Sequence, residues 1–342
     1  MRALFAALLL ALLITLGPYT TAQAPALVTY GPLGISLHQG LATKDRLWLL
    51  GHSGKVLRLD HSGWGGTVVA DHAKHLLRDG THLWALIKKK GETPYIQDLA
   101  AAKASRIALP RDGDPILLFR TPNGPGVLYA HMALIPSEEG YRRQPLSQPA
   151  SDGYTASDLI GDYLYLGGDH GEFGGSVRRV NLMTGDTEAI ALKHPADCHA
   201  DDISRCLPVI NIFPDPDQPD CILVGSNQTH LGLFDAAVHR VCGTRAELVF
   251  RKPSRQTANR GTETAWAFDY LQPMATGWVA AGQGWYAHST GSGHRFAAIP
   301  ALHPTGVLRL SKAQDGVVFV ESACCFGPRG TERYIMPIAL TD

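Results

Sequence analysis

The sequence predicts an all-β chain folded as a seven-bladed β-propeller, its ring closed by an N-terminal strand at about residues 26–30 paired with the C-terminal blade. Three observations predict it. Seven short apolar or aromatic runs recur: RLWLLG (46–51), THLWALI (81–87), GVLYAHM (126–132), DYLYLGG (162–168), CILVGS (221–226), GWVAAGQG (277–284) and GVVFVES (316–322). Their spacing of roughly 36 to 58 residues suits one four-stranded blade per run. No helical periodicity runs beyond the first residues, while 36 Gly and 22 Pro punctuate short strands. The last unit offers only three strands, and ALVTYG (26–31) belongs to no neighbour. Joining the two leaves no open sheet edge at the seam.

The elements follow in chain order. Arg2, the apolar run Ala3–Leu16, Gly17-Pro18 and Ala22-Gln23-Ala24 form a secretory signal peptide, with the cut after Ala24. The apolar run is shorter than the about 20 residues a spanning helix needs. Residues 25–342 are then a single propeller domain with no transmembrane segment, periplasmic or secreted and monomeric. The first unit reads RLWLL, turn GHSG, KVLRLD, GTVVA. The fourth is the most complete: YTASDLI (154–160) as inner strand A, YLYL (163–166) as B, SVRRVNL (176–182) as C and TEAIAL (187–192) as D. Gly185 in the turn MTGD supplies a cheap positive φ. The seventh unit has TGVLRLS, GVVFVE and RYIMPIAL before the chain ends.

Composition narrows the function. The 31 basic and 31 acidic residues balance, and no basic stripe exists, so a nucleic-acid partner is excluded. Lys88-Lys89-Lys90 reads as a solvated turn. No G-x-S-x-G, S-x-x-K, H-E-x-x-H or P-loop pattern occurs. Asp215–Asp220 (DPDQPD) lacks the Gly and Glu of a calcium loop and reads as a turn.

In its YLYLGG…SVRRVNLMTGDTEAI stretch, whose strand-turn-strand ends in N-L-x-T-G-D, the chain resembles the bacterial exported propellers grouped as quinoprotein-like or regulator-type repeats. The resemblance implies the fold. That superfamily includes cofactor-dependent dehydrogenases, lactonases, lyases and binding scaffolds, so it selects no activity.

In such a blade the B–C turns and D–A crossovers emerge on one face, the A–B and C–D turns on the other. GGDHGEFGG (167–175) reads as an enlarged B–C turn of blade 4, its glycines serving turn geometry. The next D–A crossover is KHPADCHADDISRC, and the B–C connection of blade 5 is placed at about 226–236. The binding candidates on this face are Asp169, His170, Glu172, Phe173, His199, Asp201, Asp202, His230 and, in blade 7, Arg329. Long polar loops on one side of a rigid ring are the usual place for a site. His170, Glu172, His199 and Asp201 carry donors suited to a divalent cation, the one cofactor these residues could hold.

Six cysteines in an exported chain point to disulfides. Cys221 starts strand B and Cys242 ends its antiparallel neighbour in blade 5, so the two face each other. Cys198 and Cys206 could brace one crossover, leaving Cys324-Cys325 as a vicinal pair; free thiols or other pairings are the alternatives.

The expected function is therefore non-enzymatic: binding of a protein or envelope component through the loop-rich face, as an assembly factor or an inhibitor with an immunity-like role. The alternative is a metal- or quinone-dependent hydrolase, lyase or oxidoreductase, with Arg329 steadying an anion. A sugar binder using Trp48, Trp64 or Trp285 is a third reading.

Overall fold

The computed structural model describes residues 28–30, 37–42, 46–60, 66–101, 105–151, 153–170, 174–192, 207–230, 233–257, 263–265, 268, 270–274, 277–282, 285–290, 293–298, 306–313, 316–323 and 333–338. The described elements are strands, in four-stranded antiparallel sheets of meander order. Blade 1 is β2 (Leu37–Ala42), β3 (Arg46–Gly51), β4 (Val56–Asp60) and β5 (Gly66–Ala70). Blade 2 is β6 (Ala73–Asp79), β7 (His82–Ile87), β8 (Tyr95–Asp98) and β9 (Ser105–Ala108). Blade 3 is β10 (Pro115–Thr121), β11 (Gly124–Tyr129), β12 (Met132–Ser137) and β13 (Gly140–Pro145). Blade 4 is β14 (Tyr154–Ile160), β15 (Tyr163–Asp169), β16 (Gly175–Asn181) and β17 (Thr187–Ile190). Blade 5 is β18 (Val209–Pro214), β19 (Cys221–His230), β20 (Leu233–Cys242) and β21 (Arg245–Phe250). A two-stranded ribbon, β22 (Pro253–Thr257) and β23 (Glu263–Ala265), precedes blade 6, which is β24 (Tyr270–Pro273), β25 (Trp278–Gly282), β26 (Trp285–Thr290) and β27 (Gly293–Ala298).

The seven-bladed expectation is corrected here. The propeller has six blades, each built from four consecutive strands. The remaining four-stranded sheet is of a different kind. Three of its strands, β28 (Gly306–Ala313), β29 (Gly316–Ala323) and β30 (Arg333–Ile338), come from the C-terminal region, and β1 (Val28–Tyr30) comes from the N-terminal region. Val28 pairs with Ile335, Thr29 with Tyr334 and Tyr30 with Arg333. The backbone of β28 lies beside both β2 and β24.

The core sits between blades rather than within them. Trp48, Leu50, Leu76 and Ile87 pack blade 1 on blade 2; Leu86, Ile96, Leu118 and Val127 pack blade 2 on blade 3. Tyr165, Val177, Val209 and Val224 fill the space between blades 4 and 5. Each such side chain, fully buried, contributes about 1.5–3 kcal/mol. Because strand B is covered on both faces, its apolar run is nearly continuous, as in β3 and β15, which is why those runs dominate the sequence.

The inner strands share a device the sequence did not reveal. Each of the first five carries a β-bulge near its start, at His38, Lys74, Ile116, Thr155 and Ile210. A bulge re-aims a side chain, at the bulge or just after it, toward the next blade. Gln39 then donates from Nε2 to Leu76 O at 2.8 Å and accepts the Leu76 N–H at 2.9 Å. The Leu118 N–H donates to His75 Nδ1 at 3.3 Å. Thr155 Oγ1 donates to Val209 O at 3.3 Å, and Asn211 Nδ2 donates to Leu271 O. Inner strands of neighbouring blades are thus tied side chain to backbone.

Candidate functional site

The two faces of the propeller differ in their connections. No described A–B or C–D connection exceeds six residues. The longer connections, 88–94, 146–153, 191–208, 251–269, 299–305 and 324–332, are all B–C turns or D–A crossovers. The face is stitched together by backbone bonds: the Ala73 N–H donates to Gly54 O, the Lys88 N–H to His72 O, and the Asp169 N–H to Gly153 O, at 2.9–3.0 Å.

The predicted site residues are only partly within the described structure. Asp169, exposed, ends β15, and His170 follows it, its N–H donating to Gly174 O at 2.9 Å. The His170 ring lies over Gly153 and Gly168, 2.7 Å from where a Cβ on Gly153 would stand. Glu172, Phe173, His199, Asp201, Asp202 and Arg329 lie outside the described residues, as do Cys198, Cys206, Cys324 and Cys325. His230 is the last residue of β19, paired with Leu233. Asn227 and Gln228 also lie in that strand, so the blade 5 connection is 231–232 rather than 226–236. The strand-paired Cys221–Cys242 disulfide is present, with a Cα–Cα distance of 4.4 Å. Trp48 is fully buried and unavailable to a sugar.

The glycines of 167–175 serve a different purpose from the one expected. Gly167, Gly168 and Gly175 are strand residues without positive φ; among the described glycines of this stretch only Gly174, at 96°, needs it. A Cβ on Gly167 would stand 2.4 Å from Val209 Cγ1, and one on Gly175 would stand 2.5 Å from Leu207 O. These glycines let blade 5 approach blade 4, and the connection itself is only 170–174.

A cleft of about 440 Å³ opens on the same face at blade 3. It is lined by apolar Tyr129, Met132 and Pro145 and by polar Asp112, Asp114, His131 and Arg143. Arg143 Nη1 meets Asp112 Oδ2 at 2.6 Å, and Lys88 Nζ meets Asp114 Oδ1 at 2.9 Å. The hydrogen bond from Lys88 holds the Asp114 carboxyl below its ordinary value, with the nearby Lys74 adding to the effect. Burial, with the Asp112 charge second, pushes the Tyr129 hydroxyl up to about 12, so it stays a phenol and donates to Pro110 O at 3.2 Å. Sequence reasoning missed this cleft; its one visible signal was the crossover Asp112-Gly113-Asp114-Pro115 before an inner strand.

Among the described residues no group of three or more His, Cys, Asp or Glu side chains could hold a metal ion. Three of the four expected cation ligands, Glu172, His199 and Asp201, lie outside those residues. No helix of the described residues is long and apolar enough to cross a membrane.

No family model matches the chain, and no curated protein is similar to it in sequence. Solved structures are similar in fold. The WD40 repeats of RRP9 align with a TM-score of 0.54 and 12% identity, over 92% of this chain and 99% of that one. The Cps50 (Swd1) β-propeller domain of Myceliophteria thermophila gives the same values. YCF48 from Cyanidioschyzon merolae gives 0.51 and 12%, over 92% and 98%. At this identity the likeness establishes the propeller fold alone.

Proposed function

We propose that the chain is an exported, monomeric propeller that binds a protein or envelope component through its B–C/D–A face, in an assembly or inhibitory role. One observation carries this reading: all the connections longer than six residues, and the cleft at blade 3, lie on that face. The blades bring these connections to one side of a rigid frame, where a partner can meet several of them at once. The neutral charge balance and the lack of a catalytic signature point the same way. The signal-peptide reading of residues 1–24 places the partner in the periplasm or outside the cell.

The test is a pull-down from envelope extract with the oxidised mature chain, alongside a His131→Glu/Arg143→Glu variant. A single partner held by the wild type in the presence of a chelator, and lost by the variant, is the expected result. Retention of the partner only in the presence of a divalent metal would favour the metal-dependent alternative built on His170, Glu172, His199 and Asp201.

A further inference from the structure

Three stretches of blade 3 line its cleft: the crossover 112–114 before β10, the β11–β12 turn 129–132, and Arg143 with Pro145 on β13. Its volume of about 440 Å³ lies toward the small end of the roughly 300–1,000 Å³ usual for small-molecule sites. Backbone bonds hold the turn in place: the Leu146 N–H donates to His131 O at 2.9 Å and the Ala150 N–H to Ala130 O at 2.6 Å. Tyr129 commits its hydroxyl to Pro110 O at 3.2 Å, which leaves its ring as apolar lining together with Met132 and Pro145. Apart from its chain neighbours, Gly113 has no atom within 4 Å of where a Cβ would stand, so the crossover is open there.

Two ion pairs bring both signs of charge to this cleft. Arg143 Nη1 meets Asp112 Oδ2 at 2.6 Å, the two side chains being 58% and 44% exposed. Lys88 Nζ meets Asp114 Oδ1 at 2.9 Å, with Asp114 69% exposed. Pairs this exposed contribute little by themselves and open readily to a competing partner. Two carboxylates disfavour a polyanion, and Arg143 disfavours a bare cation. A molecule with an ammonium and a carboxylate on one carbon matches both signs, its carboxylate on Arg143 and its ammonium on Asp112. Both contacts are charge-assisted hydrogen bonds, and a guanidinium takes a carboxylate bidentately. The apolar lining then suits an apolar side chain on the same carbon. An internal peptide segment carries neither of these charges and a chain terminus only one, so the match singles out the free zwitterion.

We infer that the blade 3 cleft binds a free α-amino acid with an apolar side chain, through both of its charges and that side chain. This site goes beyond the protein-binding reading and stands or falls without it.

The test is calorimetric titration of the full chain at constant ionic strength and about pH 6.5, where α-amino and α-carboxyl groups are both charged. L-phenylalanine, L-leucine and glycine are the zwitterionic probes. N-acetyl-phenylalanine lacks the ammonium and phenylalanine amide lacks the carboxylate. Phenylalanine and leucine are expected to bind saturably, and the other three about tenfold or more weakly. Arg143→Gln should weaken phenylalanine binding about tenfold or more. Arg179→Gln, whose arginine pairs with Glu188 on blade 4, should leave it unchanged. Asp112→Asn frees Arg143 from its carboxylate, so the preference should shift about tenfold toward N-acetyl-phenylalanine, a gain that misfolding cannot produce. Thermal unfolding verifies the fold of each variant. No saturable binding of phenylalanine or leucine, indifference to the loss of either charge, affinity no better than that for glycine, or an unshifted preference in Asp112→Asn overturns the proposal. The protein-binding reading is judged separately, by the pull-down.

Discussion

His75 stands where one residue must serve two neighbours. It follows the bulge of β6, and its Nδ1 accepts the Leu118 N–H of the next inner strand, which requires a neutral ring. Burial, with His38 nearby as the smaller cause, lowers its pKa from 6.5 to about 4. The unfolded chain therefore takes up this proton first as pH falls. The contribution is fully present above 6.5 and is lost between 6.5 and about 4, up to about 3 kcal/mol. Gln39 performs the same bridging with an amide. His75→Gln is therefore predicted to keep stability at about pH 7.5 within about 1 kcal/mol and to flatten the acid loss, measured by urea unfolding across pH. Gly167 gives a second prediction. Its added Cβ would meet Val209 Cγ1 at 2.4 Å and Ile212 Cδ1 at 3.0 Å. Gly167→Ala should cost about 1–3 kcal/mol by overpacking, read from the same unfolding curves.

Between strands, the β19–β20 hairpin is the longest pairing of the described blades, ten residues on each strand from Cys221↔Cys242 to His230↔Leu233. Its disulfide closes the end opposite the face with the long connections, across a sequence separation of 21. Beside it Asp215, buried, pairs with Arg240 and fixes the 215–220 turn. Cys221→Ser/Cys242→Ser is predicted to lower stability by about 3 kcal/mol, seen as a lower melting temperature. Legibility followed physical cause at this scale. Strand B was readable because burial on both faces makes it a continuous apolar run, as in YLYLGG. Inner strands were less so: β2 (LHQGLA) went unnoticed because its polar residues bridge to the next blade. The Cys221–Cys242 pair was readable from antiparallel register alone. The β22–β23 ribbon carries no apolar period, and Asn227 and Gln228 look like loop residues although their backbones are strand-paired. At 167–175 the sequence displayed glycines but could not say that Val209 and Leu207 O were what they made room for.

For the whole molecule, the blade order and the sheet joining β1 to β30 make a rigid frame with unequal faces. One face has tight turns, such as 182–186, where Asn181 Oδ1 accepts the Met183 N–H at 2.8 Å. The other has the long connections and the blade 3 cleft. Rigid scaffolds that concentrate variable loops on one side use that side for recognition. The face was legible in the sequence because connection lengths follow from strand order; the cleft was not, since Tyr129, Met132 and Arg143 come together only once blade 3 is folded. The most direct test of face-specific recognition is photo-crosslinking in the native host cell, with a benzophenone side chain placed at His131 in one sample and at Met183 on the opposite face in another. The prediction is a discrete protein adduct from position 131 and none from 183. Adducts formed from 183 alone would contradict it.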